Sequence, residues 1–447
     1  MKPLLTLAAE LAARKTTSQA LVEDALTRIA IASGEGARVF MRTHRESALA
    51  EARASDTLRA HGLVPSPLAG IPVSVKDLFD VAGDITRAGS KALADDAPAN
   101  ADATVIRRLR QAGAIIVGRT NMVEFAFSGL GLNPHYGTPK NPWDRTTGRI
   151  PGGSSSGAAV SVSDGMAAMG LGTDTGGSVR IPAALCGLTG FKPTARRIPK
   201  DGTFPLSTSL DSIGPIATSV ACCALVDSIL AGDAPQVPQA LPLKGLRLGV
   251  VQDYVLEGLD GAVADAFGKA LAKLSQAGAS VTDVRFEALQ GMPQLNQKGG
   301  LVVAEAHAIH RELIARRKAD YDPRVASRIL RGADMSAADY IDLLAQRAAM
   351  IAQSARLAAP YDALLMPTVA MVAPAIAPLE ADDQLYGKTN LALLRNPSVV
   401  NFLDACALSI PCHQPGQGPV GLMVVGQSGE DRRLLAVGLA LESALRQ

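Results

Sequence analysis

Apolar positions along the chain alternate between two periods. Val22, Ala25, Leu26 and Ile29 recur at i, i+3, i+4 and i+7, which predicts a helix with Thr17 or Ser18 at its N-cap. Val105, Ile106, Leu109 and Ala112 predict a second helix, capped by Asp102 and ended by Gly113. The run AIIVG at 114–118 then reads as a buried strand. Val263, Phe267, Ala270, Leu271 and Leu274 predict another helix, ended by Gly278 and followed by a strand near 280–286. ALLMPTV (363–369) and GPVGLMVVG (418–426) read as strands, and 430–446 as a helix. The N-terminal MKPLLTLAAELAARK reads as an amphipathic helix, because its apolar run is too short to span a bilayer.

Such alternation implies an α/β fold with a mostly parallel or mixed sheet. APQVPQALP (234–242) is the best candidate boundary, yet no stretch is rich enough in Pro, Ser or charge to divide the chain. The segment 287–360 is long and helical and is expected to shape a pocket.

Composition narrows the function. The chain has 447 residues, 47% of them hydrophobic and 19% charged, so a sizeable core is expected and global disorder is not. The net charge is +2, with no basic run for nucleic acid and no acidic docking tail. Cys186, Cys222, Cys223, Cys406 and Cys412 are scattered without metal-ligand spacing. They read as reduced core residues of a cytoplasmic protein.

The chemistry-bearing stretch is PGGSSSGAAV (151–160). A linker reading conflicts with the apolar structure that follows at once. A P-loop reading fails because no lysine follows Gly157. Gly153-Ser154-Ser155-Ser156-Gly157 formally matches the nucleophile elbow of α/β-hydrolase esterases, with Ser155 as nucleophile, but RTTGRIPGG before it lacks a strand pattern. That reading also requires a catalytic histidine, such as His413.

GTDTGGSVRIP (172–182) frames a further serine at the entry to a helix. Backbone N–H groups of Thr175, Gly176, Gly177 and Ser178 could converge there as an oxyanion hole, although an ordinary strand-to-helix turn fits equally. A serine needs a base. Ile71, Val73 and Val75 in GIPVSVKDLFD predict a buried strand ending at Lys76, and a desolvated lysine favours its neutral amine.

Lys76, the GGSSSG loop and GTDTGGSVR together resemble the amidase signature family, the Ser-cisSer-Lys amidohydrolases. GRTNMVEFA (118–126), HYGTPKNPWD (135–144) and GLTGFKPT (187–194) strengthen the resemblance, as does the interval from Ser154 to Ser178. It runs from about 65 to 220, with echoes at ALLMPTV and PVGLMVVGQ. It implies one large α/β domain over 1–447, a twisted mixed sheet with helices on both faces.

The resemblance also implies the roles. Ser178 is the nucleophile, Ser154 after a cis bond from Gly153 relays its proton, and Lys76 is the base. Ser155 and Asp174 order the site. The reaction implied is hydrolysis of a small amide, urea-like or carbamate-like compound, with no metal or organic cofactor. A glutamine-hydrolysing amidotransferase subunit would carry the same motifs. Ser128 and Gly129 correspond to the acyl-pocket segment of relatives. Arg180 either binds a substrate carboxylate or pairs with Asp174. His307 and His310 have a spacing that can bind metal, within a stretch that otherwise reads as plain helix. The chain lacks room for a further C-terminal domain and shows no N-terminal membrane helix, so a small soluble substrate, no membrane and no nucleic acid are expected. Homodimers occur among relatives.

Overall fold

The computed structural model describes residues 1–446. Its centre is one sheet of eleven strands. These are β1 (Phe40–Thr43), β2 (Pro72–Lys76), β3 (Ile115–Thr120), β4 (Gly170–Asp174), β5 (Thr189–Lys192), β6 (Ser212–Ala217), β7 (Arg247–Val251), β8 (Ser280–Val284), β9 (Ala363–Pro367), β10 (Cys406–Pro411) and β11 (Gly421–Gly426). Their order is β1-β3-β2-β4-β6-β5-β10-β11-β9-β7-β8. β2 pairs in parallel with β3 and β4, and β7 pairs in parallel with β8 and β9. The strands between them run antiparallel, so the sheet is mixed.

Side chains alternate across a strand, so a sheet covered on both faces divides its residues between two cores. Leu422 and Val424 of β11 enter one core, while Met423 and Val425 enter another. In β3, Ile116 points one way and Ile115 and Val117 the other. This explains the uninterrupted apolar runs in the sequence.

The periodic segments become the expected elements. Helix Ser18–Ile29 is capped by the Thr17 hydroxyl, which accepts from the Ala20 N–H at 3.1 Å. Helix Gly261–Gln276 and β8 follow as predicted. One cap differs. The helix Thr104–Gln111 has Ala103 at its N-cap, with no side-chain bond. Asp102 instead accepts from the Ala82 N–H and pairs with Arg110, because a loop donor and a cation compete for its carboxylate. The stretch 234–242 divides nothing: β7, β8 and β9 lie beyond it and join the same sheet through the β9–β11 pairing. The segment 287–360 is helical as expected, including Gly300–Arg317 and Ala337–Ala358.

The five cysteines are buried and unpaired. No helix among the described residues is long and apolar enough to cross a membrane.

Leu171 of β4 is fully buried in the largest core. Leu171→Ala is expected to cost about 2–5 kcal/mol, the lost transfer energy plus a cavity. The check is thermal unfolding; an unchanged Tm would mean that this strand does not anchor the sheet.

Candidate active site

β2 and β4 lie side by side, with Ser74 opposite Gly170 and Val75 opposite Leu171. Their C-terminal ends therefore bring Lys76 next to Thr173 and Asp174. Lys76 is fully buried. Its Nζ donates to Ser154 Oγ at 2.7 Å and to Thr173 Oγ1 at 2.9 Å. Burial disfavours the ammonium form. The negative charges of Asp211 and Asp174 oppose this only in part, and the pKa falls to about 7. Near neutral pH a large fraction of the amine is thus unprotonated.

Ser154 follows a cis Gly153–Ser154 peptide bond. Gly153 cannot carry a side chain, because a Cβ there would meet Gly131 N at 2.6 Å. Ser155 is the next residue of the loop. It is fully buried and its hydroxyl donates to the Thr173 carbonyl at 3.3 Å. The residues before it, 151–155, form no strand, so the strand–turn–helix context of a nucleophile elbow is missing. Ser156 opens the helix Ser156–Ser163, its hydroxyl buried without a partner among the described residues.

Asp174 organises the turn after β4. Its carboxylate accepts from the N–H groups of Gly177 at 2.9 Å and Val179 at 3.1 Å. Arg180 donates to both oxygens, from Nε at 3.0 Å and Nη2 at 2.9 Å. Burial works against the charged carboxyl, but the Arg180 cation and these bonds overcome it and hold the group well below the usual range. One expectation is corrected here and one open choice is decided, since Arg180 pairs with Asp174. The Gly177 N–H is already committed to Asp174, so it is not free for an oxyanion; those of Gly176 and Ser178 have no acceptor among the described residues. Arg180 does not reach toward substrate. It is fully buried and also donates to the Pro397 carbonyl and Asn401 Oδ1.

Thr175, Gly176 and Ser178 open onto a cavity of about 540 Å³. Ser128 lines it, with its hydroxyl donating to Asn390 Oδ1 at 2.9 Å. Gly129 lies behind that wall, its N–H given to the same oxygen at 2.8 Å. Met292, Leu301 and Val303, from the segment 287–360, also line the cavity. His310 is buried beside Phe125, Phe204 and Tyr321, and burial pushes its pKa down to about 4. The described residues contain no cluster of His, Cys, Asp and Glu able to hold a metal.

Sequence reasoning missed a whole wall. The helix Asp383–Phe402 supplies Asn390, Leu394, Arg395, Ser398 and Phe402 to the cavity and Asn401 to Asp174. Its buried polar residues and internal Pro397 hide the helical period. Thr173 and Asp211 were missed too. Asp211 accepts from Thr175 Oγ1 at 2.5 Å.

A family model described as Amidase matches residues 20–435. The chain is 36% identical to 2-amino-5-chloromuconic acid deaminase of Comamonas testosteroni, over 89% of this chain and 86% of that protein. It is 34% identical to the A subunit of glutamyl-tRNA(Gln) amidotransferase from Chloroflexus aggregans, over 97% and 94% of the two chains. Among solved structures, an amidase crystal structure aligns with a TM-score of 0.88 at 34% identity, covering 99% of both chains.

Removing the cation beside Asp174 would leave a buried carboxylate uncompensated. Arg180→Met is expected to lower stability by about 3–5 kcal/mol, read as a fall in Tm. A Tm within a degree of the parent would show that the pair does not hold this turn.

Proposed function

This chain belongs to the amidase family, and on that premise we propose that it hydrolyses a carboxamide through an acyl-enzyme on Ser178. The observation that carries the reading is the 2.7 Å bond between a buried, low-pKa Lys76 and Ser154, beside the cavity that Ser178 lines.

Ser178 Oγ attacks the amide carbon. Its proton passes to Ser154 while Ser154 gives its own to neutral Lys76. The new oxyanion takes hydrogen bonds from the N–H groups of Gly176 and Ser178, with Thr175 alongside. Asp174 holds that turn in place. Collapse breaks the C–N bond, and the proton returns through Ser154 to the nitrogen, which leaves as ammonia or an amine. Water then adds to the acyl group, gives its proton to the same relay, and releases the carboxylic acid from Ser178. Amide and water are consumed; acid and amine are formed. Esters and carbamates pass through the same acyl-enzyme.

A second reading, the glutamine-hydrolysing component of an amidotransferase, is supported by the likeness to the glutamyl-tRNA(Gln) amidotransferase chain along nearly the whole length. Ammonia release that requires a partner protein would favour it.

Fluorophosphonate labelling with peptide mapping tests the nucleophile. One adduct on Ser178, lost in Lys76→Ala, is expected, whereas an adduct on Ser155 would refute the assignment. Ser178→Ala and Ser154→Ala should each lower turnover by about 10³-fold or more, and Ser155→Ala much less.

The relay also sets a pH dependence. Lys76 must be unprotonated to accept, so kcat/KM should fall about tenfold per pH unit below about 7 and level off above it. A profile flat from pH 5 to 8 would remove Lys76 as the base.

A further inference from the structure

The cavity beside Ser178 has an unusual balance of charge. Arg328, Arg331 and Arg395 line it, and among the described residues no Asp or Glu does. Arginine stays protonated in proteins, so buried arginines are normally paired. The fully buried arginines elsewhere obey this rule: Arg119 is bound to Asp77 and Arg180 to Asp174. Arg328 and Arg395, which are half-buried, and Arg331, which is exposed, have no carboxylate partner among the described residues.

Arg395 gives its Nε to Asn396 Oδ1 at 3.1 Å, a neutral acceptor, and its Nη2 is buried with no acceptor. The guanidinium stands 5.9 Å from the centre of the Tyr254 ring. Burial disfavours its charge, and Tyr254 and then Glu257 oppose this only in part; Glu257 is exposed and lies outside the cavity lining. Arg328 gives its Nη2 to the Phe127 carbonyl at 2.8 Å and to Tyr386 Oη at 3.4 Å, while its Nε is buried without an acceptor. Arg331, at the exposed rim, donates to the Gln297 carbonyl. Every partner is neutral. The cavity therefore gathers three guanidinium groups with no carboxylate in its lining among the described residues.

This charge lines the same cavity as Ser178. Leu394, next to Arg395, lies 3.5 Å from where a Cβ on Gly176 would sit, and Phe127, bound by Arg328, adjoins Ser128. The rest of the wall is largely apolar, with Leu206, Leu210, Met292 and Leu301.

Resting on the acyl-enzyme reading above, we propose that the substrate is a monoamide of a dicarboxylic acid. Its amide reaches Ser178, an apolar spacer fills the cavity, and its carboxylate is drawn to the Arg328 and Arg395 side. The acyl group carries no ammonium, because the lining holds no carboxylate to receive one. This sets glutamine, an α-amino acid, at a disadvantage in the same pocket.

The test measures ammonia release from succinamic, glutaramic and adipamic acids, from butyramide, pentanamide and hexanamide of matching length, and from L-glutamine. At least one monoamide should exceed both its neutral match and glutamine tenfold or more in kcat/KM. Arg395→Gln and Arg328→Gln should reduce that anionic-over-neutral ratio at least tenfold, mainly through KM. Calorimetric binding to Ser178→Ala gives a readout independent of turnover. One of the three acids should bind more tightly than its neutral match, and that preference should be lost when Arg395→Gln is added.

Equal treatment of charged and neutral amides would overturn the proposal, as would preference for glutamine or failure of all three acids to bind. Selective binding of the acids without any hydrolysis would instead overturn the acyl-enzyme reading and leave the anion site standing.

Discussion

The carboxylate of Asp174 is where the architecture around the cavity converges. It ends β4, anchors the turn through Gly177 and Val179, and binds Arg180 and Asn401. Taking two opposite charges out of water costs several kcal/mol per ion, and only good geometry with further hydrogen bonds offsets it. Here both carboxylate oxygens are shared between a guanidinium, an amide side chain and backbone donors. The turn can take few other shapes without leaving a charge unpaired. A β-strand end, a helix start and the distant helix Asp383–Phe402 are thereby held in one arrangement.

Lys76 sits on the adjacent strand under the opposite regime. It is as buried as Arg180, but its partners are hydroxyls. A fully buried arginine cannot shed its proton and is normally paired with a carboxylate; a lysine can become neutral instead. Two buried cations within one site therefore end in different states. The first fixes a loop and the second bonds to two hydroxyls with its pKa lowered to about 7. Gly177 carries the cost of this arrangement. Its φ is +126°, and a Cβ there would sit 2.5 Å from Pro397, so no side chain fits.

The pocket wall is joined to the same centre through a chain of polar contacts. Asp211 accepts from Thr175 and from the Ser207 N–H, and the Ser207 hydroxyl bonds to Glu305 on the helix Gly300–Arg317. Tyr340, from the next long helix, donates to Glu305 as well. The segment that shapes the cavity is thus tied to the turn that would receive an oxyanion. Substrate-shaping and turn-holding elements form one hydrogen-bonded unit.

Local order was legible in the amino-acid sequence by itself. Period-2 and period-3.6 patterns are properties of neighbouring residues, so AIIVG, the Val22–Ile29 face and the helical 287–360 segment could be read directly. The strand ending in Lys76 and the glycine-framed serines were legible for the same reason, while the choice of Ser154 over Ser155 came only from family resemblance. Tertiary structure alone decided the rest. Asp102 left its expected cap for Arg110, Gly177 gave its N–H to Asp174, and Arg180 turned inward. The helix Asp383–Phe402 entered the site with Arg395 and asparagines that no local pattern marked. Burial and charge pairing depend on groups brought together from positions such as 128 and 390 or 174 and 401. The chain specifies those meetings only by folding, because no stretch of neighbouring residues contains both partners.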